Sequence, residues 1–118
     1  MGHFIGDLDV RLISDQKSPV WSLLAVFGYL SDTYGLIQAP IGFTTDFMTI
    51  PRIAGLYDEL GNRGRMAGVI HDWMYQSKLF PRETCDQILR EMLLIDGFTD
   101  IQAQECYIAV RAAGWSHY

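Results

Sequence analysis

A histidine and a carboxylate stand side by side at His71-Asp72, and a tyrosine follows in the run His71-Asp72-Trp73-Met74-Tyr75. If that run is helical, His71 and Tyr75 fall at i and i+4 on one face, while Asp72 points about 100° away around the axis. One helix then offers two polar faces with separate tasks. Asp86, on the next helical segment, is the candidate partner of the first face. A histidine with one ring nitrogen held by a carboxylate has a fixed tautomer and raised basicity, as a base that deprotonates water requires. Tyr75 would hydrogen-bond and orient a carboxylate. On the second face, Asp72 could bind a hard cation that polarises a carbonyl or phosphoryl oxygen. The structural alternative is a satisfied core histidine on a partly apolar helix, since the five-residue pattern is short.

Ahead of this helix lies Pro40-Ile41-Gly42-Phe43-Thr44-Thr45-Asp46-Phe47-Met48-Thr49-Ile50-Pro51-Arg52, where Pro and Gly bracket hydroxyls around one carboxylate. It reads as an ordered loop. Proline fixes φ, and the side chains of Thr45, Asp46 and Thr49 can bond the neighbouring backbone, which would hold carbonyl oxygens in fixed directions. Gly42, Thr45, Thr49, Pro51 and Arg52 are the expected supports, and Asp46 is a candidate ligand beside Asp72. In the competing reading the loop is only structural and Asp46 caps the following turn. A zinc site would need nitrogen and sulfur ligands at suitable intervals, which His3, His71, His117, Cys85 and Cys106 do not offer. Neither a glycine-rich phosphate loop nor a G-x-S-x-G elbow is present.

The elements that must position these residues follow from periodicity. Leu8 to Ile13 alternates apolar with polar and predicts a strand; Val20 to Leu30, a turn at Ser31-Asp32-Thr33, and Tyr34 to Ala39 predict a hairpin. Ile53 to Leu60 has modest helical character, broken at Gly61-Asn62-Arg63-Gly64. A helix is expected from about Arg63 to Ser77. A second begins with Pro81 in its first turn, buries Cys85, Ile88, Leu89, Met92 and Leu93, and stops at Gly97. Asp86 sits at the edge of that stripe, facing a neighbouring helix. Because only Lys78-Leu79-Phe80 joins the two, they should be antiparallel neighbours, which would bring Asp86 towards His71. Thr99-Asp100-Ile101-Gln102 matches a capping box opening a third helix through Ala113. The expected fold is thus α+β in one domain, 1–118: a small antiparallel sheet or hairpin over 1–40, an ordered loop and short helix over 41–62, and about three helices over 63–114.

Composition bounds the function. A chain of 118 residues that is 49% hydrophobic can bury one real core. Its net charge of -5 and its nine scattered basic residues argue against a nucleic-acid partner. The longest apolar run, Val20 to Leu30, is interrupted by Ser22 and Gly28 and is shorter than the ~20 residues a transmembrane helix takes. No export signal is read at the N-terminus, so a soluble protein is expected. Cys85 and Cys106 are expected as buried thiols, with a single bridge between them as the alternative.

Taken together, Gly42 to Arg52, His71 to Tyr75, Asp86 with Met92, and Ala109-Val110-Arg111-Ala112-Ala113-Gly114 resemble the domain-of-unknown-function family 1353, over most of the chain and in the right order. Family members commonly have Ala-Ser-Val where this chain has Met48-Thr49-Ile50. The resemblance implies a phage or prophage source and no particular activity. His71-Asp72-x-x-Tyr75 followed by Asp86 is also distantly similar to the core of secreted phospholipase A-two enzymes. That similarity implies His71 as the base, Asp72 as a calcium ligand, Tyr75 as support and Asp86 as orienter of the histidine. The loop from Asp46 to Pro51 is faintly similar to the Asp-x-x-Ser-x-x-Pro loop of the microbial members. Those enzymes are exported and disulfide-stabilised, whereas the present chain has two cysteines and is expected to lack an export signal.

Two functions are therefore expected in competition. One is a phage-encoded, calcium-assisted His-Asp hydrolase of a cell-envelope ester or amide, such as a phospholipid. The other is a non-catalytic virion component of the tail or baseplate, partnered by other virion proteins, whose polar cluster merely ties helices together. Asp86 bonded to a His71 ring nitrogen with an open cleft beside Asp72 would favour the first, and a fully enclosed His71 with no cleft would sink it.

Overall fold

Ser31 ends one strand and builds the turn after it: its Oγ accepts from the backbone N–H groups of Thr33 and Tyr34, both at 3.2 Å. That turn closes the expected hairpin between β4 (Phe27–Ser31) and β5 (Gly35–Ala39), in the register Tyr29 to Ile37 and Phe27 to Ala39. In this computed structural model the described residues are 2–15, 19–45 and 64–113. The loop expected over 40–52 is therefore described only through Thr45, and the short helix expected over 53–60 lies outside.

The sheet region differs from the expectation in two ways. The apolar run from Val20 makes two strands, β3 (Val20–Leu23) and β4, separated at Leu24-Ala25-Val26, and each belongs to a different sheet. One sheet has the order β1-β4-β5, with β1 spanning His3–Ile5, and the other has the order β2-β3-β6, with β2 spanning Val10–Ser14 and β6 spanning Thr44–Thr45. All the pairings are antiparallel. At the changeover, Leu24 N–H donates to the Asp9 carbonyl at 2.8 Å and Leu23 N–H to the Phe43 carbonyl at 2.9 Å, so the bend keeps its backbone groups paired. Continuous hydrophobicity cannot mark such a bend, because its own residues Leu24 and Val26 are apolar although 51% and 44% exposed.

Among the described residues three helices follow: α1 (Arg65–Ser77), α2 (Arg82–Ile95) and α3 (Asp100–Ala113). An antiparallel-sheet region followed by three helices is the α+β arrangement expected. α1 rests on β4 and β5, α2 on α1, and α3 on α2. The stripe Cys85, Ile88, Leu89, Met92 and Leu93 is fully buried and joins Phe27, Tyr29 and Ile37 of the sheet and Ile70 and Met74 of α1 in one core. Each large side chain so enclosed contributes roughly 1.5–3 kcal/mol.

The helix ends explain why these bounds hold. Pro81 stands immediately before the first residue of α2, where its missing N–H costs nothing. Gly97 follows α2 with φ of 97°, a left-handed conformation natural to glycine, and Phe98 N–H returns to the Leu93 carbonyl at 3.0 Å. The capping box at α3 is reciprocal, with Thr99 Oγ1 accepting from Gln102 N–H at 3.1 Å and Gln102 Oε1 from Thr99 N–H at 2.9 Å. α1 starts through a tertiary contact instead: Gly64 N–H donates to Asp96 Oδ2 at 2.7 Å, which ties its first turn to the last turn of α2.

Candidate active site

Asp86 projects from α2 towards α1 and is fully buried. Its Oδ1 accepts from His71 Nε2 at 2.7 Å and from the Tyr75 hydroxyl, and its Oδ2 accepts from Arg111 Nη1 at 3.0 Å. Helical spacing sets this geometry. His71 and Tyr75 are one turn apart on α1, their rings 4.2 Å between centroids, so both polar tips reach the same oxygen. Arg111 comes from the last turn of α3. That turn is held in place by Arg82, the first residue of α2, whose guanidinium donates to the carbonyls of Val110 at 3.4 Å and Arg111 at 3.2 Å.

Burial by itself would raise the Asp86 carboxyl. The hydrogen bonds from His71, Tyr75 and Arg111 outweigh it and hold the group below its ordinary value. For His71 the balance falls the other way: burial pushes the imidazole down, and the attraction of Asp86 and Asp72 does not restore it. Geometry supports that direction. His71 Nδ1 is buried and has no hydrogen-bond partner among the described residues, so a proton added there would be a donor without an acceptor. A neutral ring that gives its one N–H to Asp86 through Nε2 leaves a bare lone pair on Nδ1. Tyr75 is raised, chiefly by burial and then by Asp86, and stays a phenol.

The structure thus brings His71, Tyr75 and Asp86 together and leaves Asp72 apart. Asp72 is half-buried one residue around α1, and its Oδ1 meets the exposed Gln76 amide at 3.4 Å. Of the loop supports, Gly42 lies in a turn with φ of 86° and donates its N–H to the Leu23 carbonyl at 2.9 Å. Thr45 is buried on β6 opposite Trp21. Both residues serve the β2-β3-β6 sheet, whose neighbour Phe43 packs edge-on against Trp73 of α1 at 5.3 Å. Asp46, Thr49, Pro51 and Arg52 lie outside the described residues. Cys85 and Cys106 are free, buried thiols, each pushed up to about 11 by burial first.

Arg111 is the participant that sequence reasoning left without a role. It was visible only as part of a family segment, yet a buried carboxylate between two neutral groups calls for a nearby cation. A helix-terminal arginine whose predicted helix packs on α2 was the available one.

The family described as "Protein of unknown function (DUF1353)" matches residues 21–110. The chain belongs to this family. No curated protein and no solved structure matches it. The matched segment of this DUF1353 chain runs from β3 nearly to the end of α3, and it contains His71, Tyr75 and Asp86 while ending one residue short of Arg111. Among the described residues, no helix is long and apolar enough to cross a membrane.

Proposed function

We propose that this protein is a hydrolase of a cell-envelope ester or amide, phospholipid being the leading class, with His71 as general base. The observation that carries the reading is the inequality of the two imidazole nitrogens. A histidine kept only for packing has no need of an orphaned polar atom, and a buried nitrogen without a partner costs about 1–3 kcal/mol. Here Nε2 is used by Asp86 and Nδ1 is left bare. In the proposed reaction Nδ1 takes a proton from water, the resulting oxygen attacks the carbonyl carbon, and the proton passes to the departing alcohol or amine as its bond to carbon breaks. Asp86 and Tyr75 hold the ring in the tautomer that makes this possible.

Calcium is the cation proposed for the second face, with Asp72 as one ligand and Asp46 and loop carbonyl oxygens as the others; bound there, it would polarise the substrate carbonyl. Among the described residues there is no group of three His, Cys, Asp or Glu able to hold a metal. A phage or prophage source is likewise proposed, from the family resemblance.

One observation favours a second reading, a virion component of the tail or baseplate in which the cluster only ties α1, α2 and α3: His71 is 1% exposed. A hydrolysis screen on phospholipids and cell-wall fragments, with and without calcium, separates the two. The expected result is turnover of an ester or amide substrate that is lost in His71→Ala. Turnover indifferent to that substitution removes His71 as base, and the absence of turnover from every fragment leaves the structural reading.

A further inference from the structure

We propose that Arg111 is a positioning residue of this site, which acts through Asp86 to fix the hydrogen-bond polarity of the cluster and so leaves Nδ1 of His71 as the acceptor. Two of the three groups on Asp86 are ambivalent. A tyrosine hydroxyl donates or accepts, and an imidazole nitrogen donates in one tautomer and accepts in the other. Only the guanidinium has no choice, since it carries donors alone and keeps its proton. Arg111 Nη1 points at Oδ2 at 3.0 Å, and an N–H there excludes an O–H on the same oxygen. The guanidinium charge beside Oδ2 holds the carboxylate ionised, so Oδ1 carries no proton and accepts from both Tyr75 and His71 Nε2. The neutral ring has one N–H, and it is spent on Nε2.

The same arginine supplies the positive charge that a fully buried carboxylate needs, so the ring does not have to supply it. Without Arg111 a neutral alternative opens. One proton enters from solvent onto Asp86, the carboxyl donates to Nε2, and the ring proton sits on Nδ1, which is then no longer a lone pair. Arg82 reinforces the arrangement, because its grip on the Val110 and Arg111 carbonyls places the last turn of α3 one helical turn from Asp86 along α2. The Arg111 side chain itself is 31% exposed, so replacing it opens no sealed cavity.

The catalytic meaning of this assignment rests on the hydrolase reading, whereas the polarity itself does not, and the test reads the polarity directly. Nitrogen NMR of the imidazole rings is recorded on the full chain at one neutral pH, with the His71 signals identified by their loss in His71→Gln. The native protein is expected to show Nε2 protonated and Nδ1 bare. Arg111→Met, similar in length and without a donor, should move the proton onto Nδ1, and Arg111→Lys should keep the native pattern. If Arg111→Met does not fold by circular dichroism, Arg111→Gln takes its place with the same expected shift, because an amide can accept as well as donate. A native pattern in the neutral variant overturns the proposal, and so does an Arg111→Lys pattern that matches the neutral variant. A chain that hydrolyses nothing but shows this dependence retains Arg111 as the polarity-setting group and loses only the hydrolase reading.

Discussion

At the scale of single residues, Asp86 joins three helices through two oxygen atoms. Its replacement affects its partners unequally: Arg111 can turn to water, while the His71 Nε2–H stays enclosed. Asp86→Ala should therefore destabilise the fold by about 1–3 kcal/mol through that buried donor. Urea unfolding checks this as a lower midpoint at unchanged slope; an unmoved midpoint would mean that the donor finds another partner. This pairing was legible in the sequence, because i and i+4 spacing puts His71 and Tyr75 on one face and the edge of the α2 stripe faces α1. The third partner was not, because Arg111 comes from a helix whose rotation about its own axis no short-range spacing reports.

Among the elements, the helices followed their local signals and the strands did so less well. The capping box at α3 is self-contained over four residues, so Thr99→Ala should cost about 1 kcal/mol and lower the thermal midpoint, with no change at His71 in NMR. An unchanged midpoint would show the box to be redundant with packing on α2. The start of α1 is of another kind. Gly64 is tied to Asp96 across 32 positions of sequence, a bond that no pattern around residue 64 encodes. The division of Val20 to Ser31 between two sheets has the same origin. Strand pairing is decided by partners far along the chain, such as Trp21 opposite Thr45 and Tyr29 opposite both Phe4 and Ile37. β1 was not expected at all, since the three residues of His3–Ile5 are too few for alternation to register.

For the whole molecule, the buried titratable groups set a stability window with a calculable sign. His71 is lowered in the fold from an ordinary 6.5, so its contribution is fully present above that value and is lost as pH falls through the folded value. Asp86 is lowered from 3.8 and adds a second loss on the acid side. Cys85 and Cys106 are raised from 9.0 to about 11, so their contribution is present below 9.0 and is lost as pH rises through about 11. Thermal midpoints against pH should be flat between these limits and fall on both sides, and His71→Asn should remove the first acid-side decline. An acid-side decline that already begins above pH 7 would contradict the direction assigned to His71. By itself, the sequence determined the α+β order, the three helices with their stops, and the convergence of His71, Tyr75 and Asp86, because helical periodicity, capping and short connections act over a few residues. The tertiary structure alone decided that the described strands divide between two sheets, that Arg111 completes the carboxylate, and that Nδ1 is the nitrogen without a partner among the described residues. Those outcomes depend on which surfaces meet after the chain has folded back on itself, and on how far a side chain reaches once they have met.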